Sequence, residues 1–217
     1  MKRIIDLTLT LKHGMRGVAF ETKYTRANKG WNAQTLHLYS HCGTHLDAPI
    51  HFEASHKTVT DIPLHRCISP AWVVNLAGIA PGALITVSDL GRISEKIQPG
   101  ESLLIRTDWS ERLGTPEYYA ALPRVSRELA QWCVAHSITM LGVEPPAVAD
   151  PKNIPEITEI HKILLAADII IVEGLTNLKA LTQEKVLFMA FPLKIEAGDG
   201  APVRALAIEN EGIDDLV

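Results

Sequence analysis

The chain has only three cysteines, Cys42, Cys67 and Cys133, and no two of them stand at CxxC spacing. An odd, dispersed set builds neither a disulfide framework nor a thiolate zinc knuckle, and it suits a reducing compartment. Charge of one sign is also lacking: 21 Lys and Arg against 25 Asp and Glu leave a formal −4. That balance supplies no electrostatic footprint for nucleic acid and no basic patch for an anionic membrane, so neither partner is expected. The most apolar stretch, Ile163 to Val172, is split by Asp168 and falls far short of the ~18 residues of a membrane span. Behind Met1-Lys2-Arg3 the polar residues Asp6, Thr8, Thr10 and Lys12 interrupt any leader-like run, so a cytoplasmic location is expected. There is no P-loop, no GxGxxG and no GxSxG, which removes the common nucleotide cradles and the serine-hydrolase elbow.

No repeat, low-complexity tract or linker breaks the chain, so one domain over 1–217 is expected. Short aliphatic runs bounded by turn residues read as strands: Ala71 to Leu76, Ser102 to Arg106, Ile138 to Val143, Ile169 to Glu173, Val186 to Phe191 and Val203 to Ile208. Pro81-Gly82 and Pro99-Gly100 punctuate them as turns. Helical spacing links Val125, Leu129, Trp132, Cys133 and His136, with Ser126 placed to cap the start. A second helix is expected from about Ile157 to Ala166, after Pro155, with Glu156 and Glu159 near its positive end. A third, shorter one is expected over Asn177 to Leu181. Strands mixed with helices, without strict alternation, predict an α/β or α+β layered fold.

Histidine is the uneven entry in the composition. There are nine, and five of them (His37, His41, His45, His51, His56) fall within one twenty-residue window. The segment His41-Cys42-Gly43-Thr44-His45-Leu46-Asp47-Ala48-Pro49-Ile50-His51 carries three histidines and an aspartate. Imidazole and carboxylate together suit zinc, manganese and related divalent ions. The four-residue step from His41 to His45 is that of a helical metalloprotease, but Gly43 and Pro49 oppose a helix and no glutamate follows His41. A turn leading into an extended piece fits better, and there His45 and Asp47, two apart, project to one side. A catalytic site needs at least three protein ligands and an open position. Further ligand candidates are His161, on the second helix, and Glu173, a carboxylate closing an aliphatic strand, where α/β sheets gather their ligands. His37 and His56 lie outside the tight pattern and are expected to be ordinary surface histidines.

The run His41 to Phe52 resembles the HxGTHxDxPxHF signature of the cyclase family of metal-dependent hydrolases, which includes bacterial kynurenine formamidases and isatin hydrolases. The resemblance extends along the chain. Asp6-Leu7-Thr8 is similar to the family's first strand, Pro99-Gly100 to Asp108-Trp109 to its GDxVLxRTGW segment, and Leu141-Gly142-Val143-Glu144 to its VGID strand. Phe191-Pro192-Leu193 with Gly200 to Ala205 is similar to its PL…GxPVRAxA end. The likeness implies a swivelling β/β/α, cyclase-like single domain of the α/β class, and a site of one or two divalent ions, Zn or Mn, per subunit. Asp47 would bridge ions held by His41 and His45 on one side and by His161 and Glu173 on the other; those last two have the twelve-residue separation seen in the kynurenine formamidases. His51 matches their proton donor and acceptor. The implied activity is hydrolysis of a small formamide or cyclic amide, in first place N-formylkynurenine to kynurenine and formate, with isatin- or lactone-type ring opening as the alternative. A homodimer or tetramer is implied as well.

The chain departs from the pattern in two places. The loop Lys12 to Phe20 lacks the substrate-contacting tryptophan of the kynurenine formamidases, leaving Phe20 and Trp31 as aromatic candidates. Glu144 stands for the aspartate of VGID, and Ala147 for a common serine. Asp108, Asp199 and Arg204 are expected to be structural, as turn hydrogen bonds and a salt bridge. Two rival readings are a Cys42 nucleophile beside His41 or His45, disfavoured because sequence neighbours seldom face one another, and a non-catalytic metal-binding protein on the same fold, for which His51 would be surplus.

Overall fold

The structure, a computed structural model, describes residues 3–209. Its strands are β1 (Arg3–Asp6), β2 (Val18–Tyr24), β3 (Ala33–Leu38), β4 (His45–Asp47), β5 (Ile68–Asn75), β6 (Leu84–Ile85), β7 (Ser102–Arg106), β8 (Arg124–Val125), β9 (Met140–Val143), β10 (Ile170–Glu173), β11 (Lys185–Pro192) and β12 (Gly200–Glu209). Its helices are α1 (Arg26–Lys29), α2 (Ile93–Lys96), α3 (Glu117–Ala120), α4 (Arg127–Ala135) and α5 (Ile154–Ala166). All six strands and both longer helices read from the sequence are present. The third expected helix is a single 3-10 turn, Leu178–Ala180. The hairpin β2–β3 carries no clear alternation in the sequence, because most of its residues face solvent on both sides.

The main sheet runs β1-β12-β11-β5-β7-β9-β10-β4, and β4 also pairs with β12. That second pairing closes seven strands, β4 to β12 by way of β11, β5, β7, β9 and β10, into a barrel. The chain is therefore a single mixed α/β domain built on a closed barrel, in line with the α/β class expected from the sequence. Within this sheet β5, β7, β9 and β10 are parallel to one another and the other pairings are antiparallel.

Strand alternation sorts the aliphatic runs into two cores. Leu104, Met140, Val172 and Phe188 fill the barrel interior together with Leu46 and the small residues Ala190, Ala201, Ala205 and Ala207. Leu103, Ile105, Leu141, Val143 and Ile171 point outward and are covered by Leu129 and Cys133 of α4 and by Ile160, Leu164 and Leu165 of α5. Each such fully buried aliphatic side chain contributes roughly 1.5–3 kcal/mol of transfer free energy. The Ser126 hydroxyl caps α4 by accepting from Leu129 N at 3.1 Å. Asn153 Oδ1 caps α5 by accepting from Glu156 N at 3.3 Å, with Pro155 in the first turn.

Candidate functional site

The ligand candidates meet at the seam where β4 closes the barrel. In its register His45 lies opposite Glu173 and Pro202, and Asp47 opposite Ile171 and Gly200. Leu46 points into the barrel, so His45 and Asp47 point out, toward α5. The turn before β4 is pinned to the end of β10 by Thr44, whose hydroxyl donates to Gly174 O at 2.6 Å and accepts from Leu9 N at 2.8 Å. His161 occupies the buried stripe of α5 beside Ile160 and Leu164. Its Nδ1–H donates to Ile157 O at 2.7 Å, which aims Nε2 at the seam. Phe52 stacks on the same ring, with centroids 4.2 Å apart.

The distances are those of one site. His41 Nδ1 lies 2.8 Å from Asp47 Oδ1, His45 Nε2 3.3 Å from Glu173 Oε2, and His161 Nε2 3.4 Å from Asp47 Oδ2 and 3.5 Å from Glu173 Oε1. Gly200 leaves the space that His41 fills: a Cβ there would come within 2.5 Å of His41 Cε1 and 2.8 Å of Leu46 O. Three candidate ligand triads result: His41–His45–Asp47 and Asp47–His161–Glu173, which share Asp47, and the less buried His41–His51–Asp199 beside them.

Burial disfavours charging His41, but its hydrogen bonds with Asp47 and Asp199 and their charges outweigh that and raise it to about 9. Burial likewise opposes charge on His161, and Asp47 and Glu173 raise it to about 10. The His45 imidazole is also raised, against burial, by Glu173 and Asp47. Burial pushes the Asp47 carboxyl up, yet the surrounding histidines hold it well below its usual range. The carboxylates thus gather positive charge where a divalent cation would sit, and such an ion would replace those protons. One atom is left over. Asp47 Oδ2 is buried, and the 3.4 Å approach of His161 Nε2 is too poorly aligned to satisfy it with a hydrogen bond, an uncommon condition for a carboxylate oxygen. A shared, buried acceptor among oxygen and imidazole donors fits a divalent ion.

His51 differs from its neighbours. It lies on the 3-10 turn Pro49–Phe52, stacks on His41 at 3.9 Å between centroids, and keeps 23% of its side chain exposed. Burial lowers its pKa, and neighbouring His41 and His161 add to this against the pull of Asp47. Its surroundings favour the neutral ring, the opposite of what the carboxylates do to His41, His45 and His161. A cavity of about 130 Å³ opens over His41, His45, His51, His161 and Glu173, and Met15, Arg16 and Tyr119 also line it.

Several expectations change or sharpen here. Asp199 is not only a loop residue: its Oδ2 lies 3.1 Å from His41 Nε2 and 3.7 Å from His51 Nδ1. Its place just before the strand that pairs with β4 is the signal that could have revealed it. Asp108 and Arg204 do have structural partners, Asp108 with Arg106 at 2.8 and 3.1 Å and Arg204 with Asp6 at 3.0 and 2.7 Å. Glu144 accepts from Thr107 N at 2.7 Å, Trp109 N at 3.2 Å and the Ser110 hydroxyl at 3.2 Å, so it organises a loop. Neither Phe20 nor Trp31 lines the cavity; Phe20 N donates to His13 Nδ1 at 3.0 Å, and Trp31 packs edge-on against Tyr24. His37 and His56 are exposed and outside the site. Cys42 is buried, and burial pushes its thiol up, so it offers no thiolate.

The family model described as "Putative cyclase" matches residues 5–150. The chain belongs to the cyclase family of metal-dependent hydrolases. It is 31% identical over 192 residues to the kynurenine formamidase of Geobacillus thermodenitrificans, covering 86% of this chain and 85% of that protein. It is 30% identical over 175 residues to the kynurenine formamidase of Salinibacter ruber, covering 81% and 79%. Among solved structures, isatin hydrolase A from Ralstonia solanacearum superposes with a TM-score of 0.85 at 25% identity, over 96% of this chain and 92% of that one. No helix among the described residues is long and apolar enough to cross a membrane.

Proposed function

We propose that the chain hydrolyses the C–N bond of a small formamide or cyclic amide, with N-formylkynurenine as the first candidate substrate. His41, His45, Asp47, His161 and Glu173 would hold one or two divalent ions, zinc or manganese. When bound, such an ion makes water nucleophilic at neutral pH and polarises a carbonyl. The chain's own residues supply the rest. Asp47, buried and hydrogen-bonded to His41, fixes the ligand rings in place. His51, neutral and facing the cavity, takes a proton from the attacking water and returns it to the departing nitrogen. Asp199, beside His51 Nδ1, steadies the charged form of that ring as it arises.

The observation that carries this reading is the contrast within the cluster: two buried ligand triads that share the Asp47 carboxylate, next to a partly exposed imidazole, His51, that neither of them needs. The second point weighs against a purely metal-binding protein. The likeness to isatin hydrolase supports lactam opening as the alternative reaction at the same residues. Metal analysis followed by assays on N-formylkynurenine, isatin and a simple lactone, each with zinc and with manganese, tests the proposal. Formate release from N-formylkynurenine is the expected result. Full turnover by protein stripped of metal would end it.

A further inference from the structure

The cavity has one wall that the ligand set does not explain. Residues 12–18 fold on themselves: Met15 N donates to Lys12 O at 3.0 Å, Gly14 N to Val18 O at 3.1 Å and Val18 N to Met15 O at 2.9 Å. The loop is seated on the histidine turn. Tyr39 N donates to Gly17 O at 2.8 Å, and Gly17, at φ +73°, lies so close that a Cβ would meet Tyr39 Cβ at 2.5 Å. Tyr39 in turn packs against His41, with centroids 5.4 Å apart. The position of Arg16 is therefore built relative to the metal ligands.

Arg16 lines the cavity, and its guanidinium carbon lies 5.0 Å from the centroid of the Tyr119 ring. The ring face attracts the cation and limits where its fork can point. Arg106, Arg124 and Arg204 each have a carboxylate partner. Arg16, like Arg26 and Arg66, has none among the described residues, but it alone of these three lines the cavity. The one carboxylate on the cavity wall is Glu173, a candidate ligand at its floor. A guanidinium held at the mouth of a small cavity, without an internal anion, matches an anion on the ligand.

We propose that Arg16 is the specificity residue of this cavity and selects amide substrates that carry a carboxylate on the same small molecule. The proposal rests on the amide-hydrolase reading above. The carboxylate would receive two parallel hydrogen bonds from the guanidinium while the amide lies over the histidines. A neutral formamide or lactam would leave Arg16 in water and gain nothing from it.

The test compares N-formylanthranilate with formanilide, which differ by the carboxylate alone, on metal-loaded wild type, Arg16→Gln and Arg16→Lys. Loss of a charge-assisted hydrogen bond predicts that R16Q lowers kcat/KM for N-formylanthranilate about 10- to 100-fold, mainly through KM. Formanilide should change by less than about twofold, and R16K, which keeps the charge without the fork, should fall between. Anthranilate titrated calorimetrically against the same metal-loaded proteins gives a readout independent of turnover, and R16Q should weaken its Kd by a similar factor. Equal losses on both substrates, or anthranilate binding that is absent in wild type or indifferent to R16Q, would overturn the assignment. If neither formamide is cleaved, the calorimetry still decides the role of Arg16, while the hydrolase reading stands or falls separately on N-formylkynurenine, isatin and the lactone.

Discussion

The floor and the rim of the cavity are built in different ways. At the floor, donors from the histidine turn, β4, α5 and β10 converge, and the protein orients each one. Gly43 O holds His45 Nδ1 at 3.1 Å, Ile157 O holds His161, and Val148 N donates to Glu173 Oε1 at 2.7 Å. The rim at Arg16 is a loop held by its own turns and by one backbone bond to Tyr39. Moving a floor residue disturbs the closure of the barrel. Moving a rim residue disturbs a surface loop. Such a division keeps the chemistry rigid and leaves selection to a segment that can change at little structural cost.

The largest break in that contrast should come from Asp47→Asn, which removes the carboxylate shared by two of the three candidate triads. Structural zinc affinities of about 10–16 kcal/mol spread over four ligands give roughly 3 kcal/mol, or about a hundredfold, per ligand. For a residue shared by two sets the expected outcome is loss of stoichiometric metal, measured on the dialysed protein, together with loss of turnover. An Asp47→Asn protein that keeps full metal and activity would remove Asp47 from the centre. His51→Ala should come next. Losing a proton carrier lowers kcat by about 10²–10⁴-fold, while metal content stays near wild type because the ligand set is intact. Loss of metal in this variant would make His51 a ligand instead.

Asp199→Asn probes the residue whose place at the site was not foreseen. Partners that orient ligands typically contribute about 10–100-fold in metal affinity or activity, and the expected loss in kcat/KM lies in that range. An unchanged rate would return Asp199 to a loop role. Gly200→Ala should act on stability as well as on chemistry, because it takes the space that the His41 ring fills. The new methyl group would overlap His41 and Leu46 O, and overpacking of this kind costs about 1–3 kcal/mol. At roughly 2–4 °C per kcal/mol for a chain of this size, thermal unfolding of the metal-loaded protein should show the shift.

The same division governs what could be read in the sequence. The histidine turn and β4 were legible because Gly, Pro, His and Asp stand there in a spacing with few structural explanations, and one extended piece two residues long in its period suffices to place His45 beside Asp47. His161 and Glu173 were harder. Each is a lone polar residue in an aliphatic element, and only the antiparallel register of β10 with β4 brings Glu173 opposite His45. Asp199 needed the closure of the barrel, a contact 158 residues apart in sequence, before its oxygen could be placed on His41. Arg16 left no signal at all, since a charged residue in a glycine-flanked loop is ordinary and its meaning comes from the absence of an internal partner. The strands and the two longer helices were legible for a simpler reason: each buries a continuous aliphatic stripe, and Ser126 and Pro155 mark helix starts whatever lies beyond them. The β2–β3 hairpin buries almost nothing and so had no pattern to read.

That hairpin supplies the smallest expected effect. Trp31 is 59% exposed, packs only edge-on against Tyr24, and does not line the cavity. If the rim belongs to Arg16 and Tyr119, Trp31→Ser should leave kcat/KM within about twofold, as surface changes away from a site do. The comparison matters because Trp31 was one of the aromatic candidates for the missing substrate-contacting tryptophan. A tenfold or larger loss would put its indole against substrate after all. Within one chain it lies outside this cavity, so such a loss would require the hairpin of a second copy to reach the site. Sedimentation of the metal-loaded protein beside the kinetics would then show whether that copy is present.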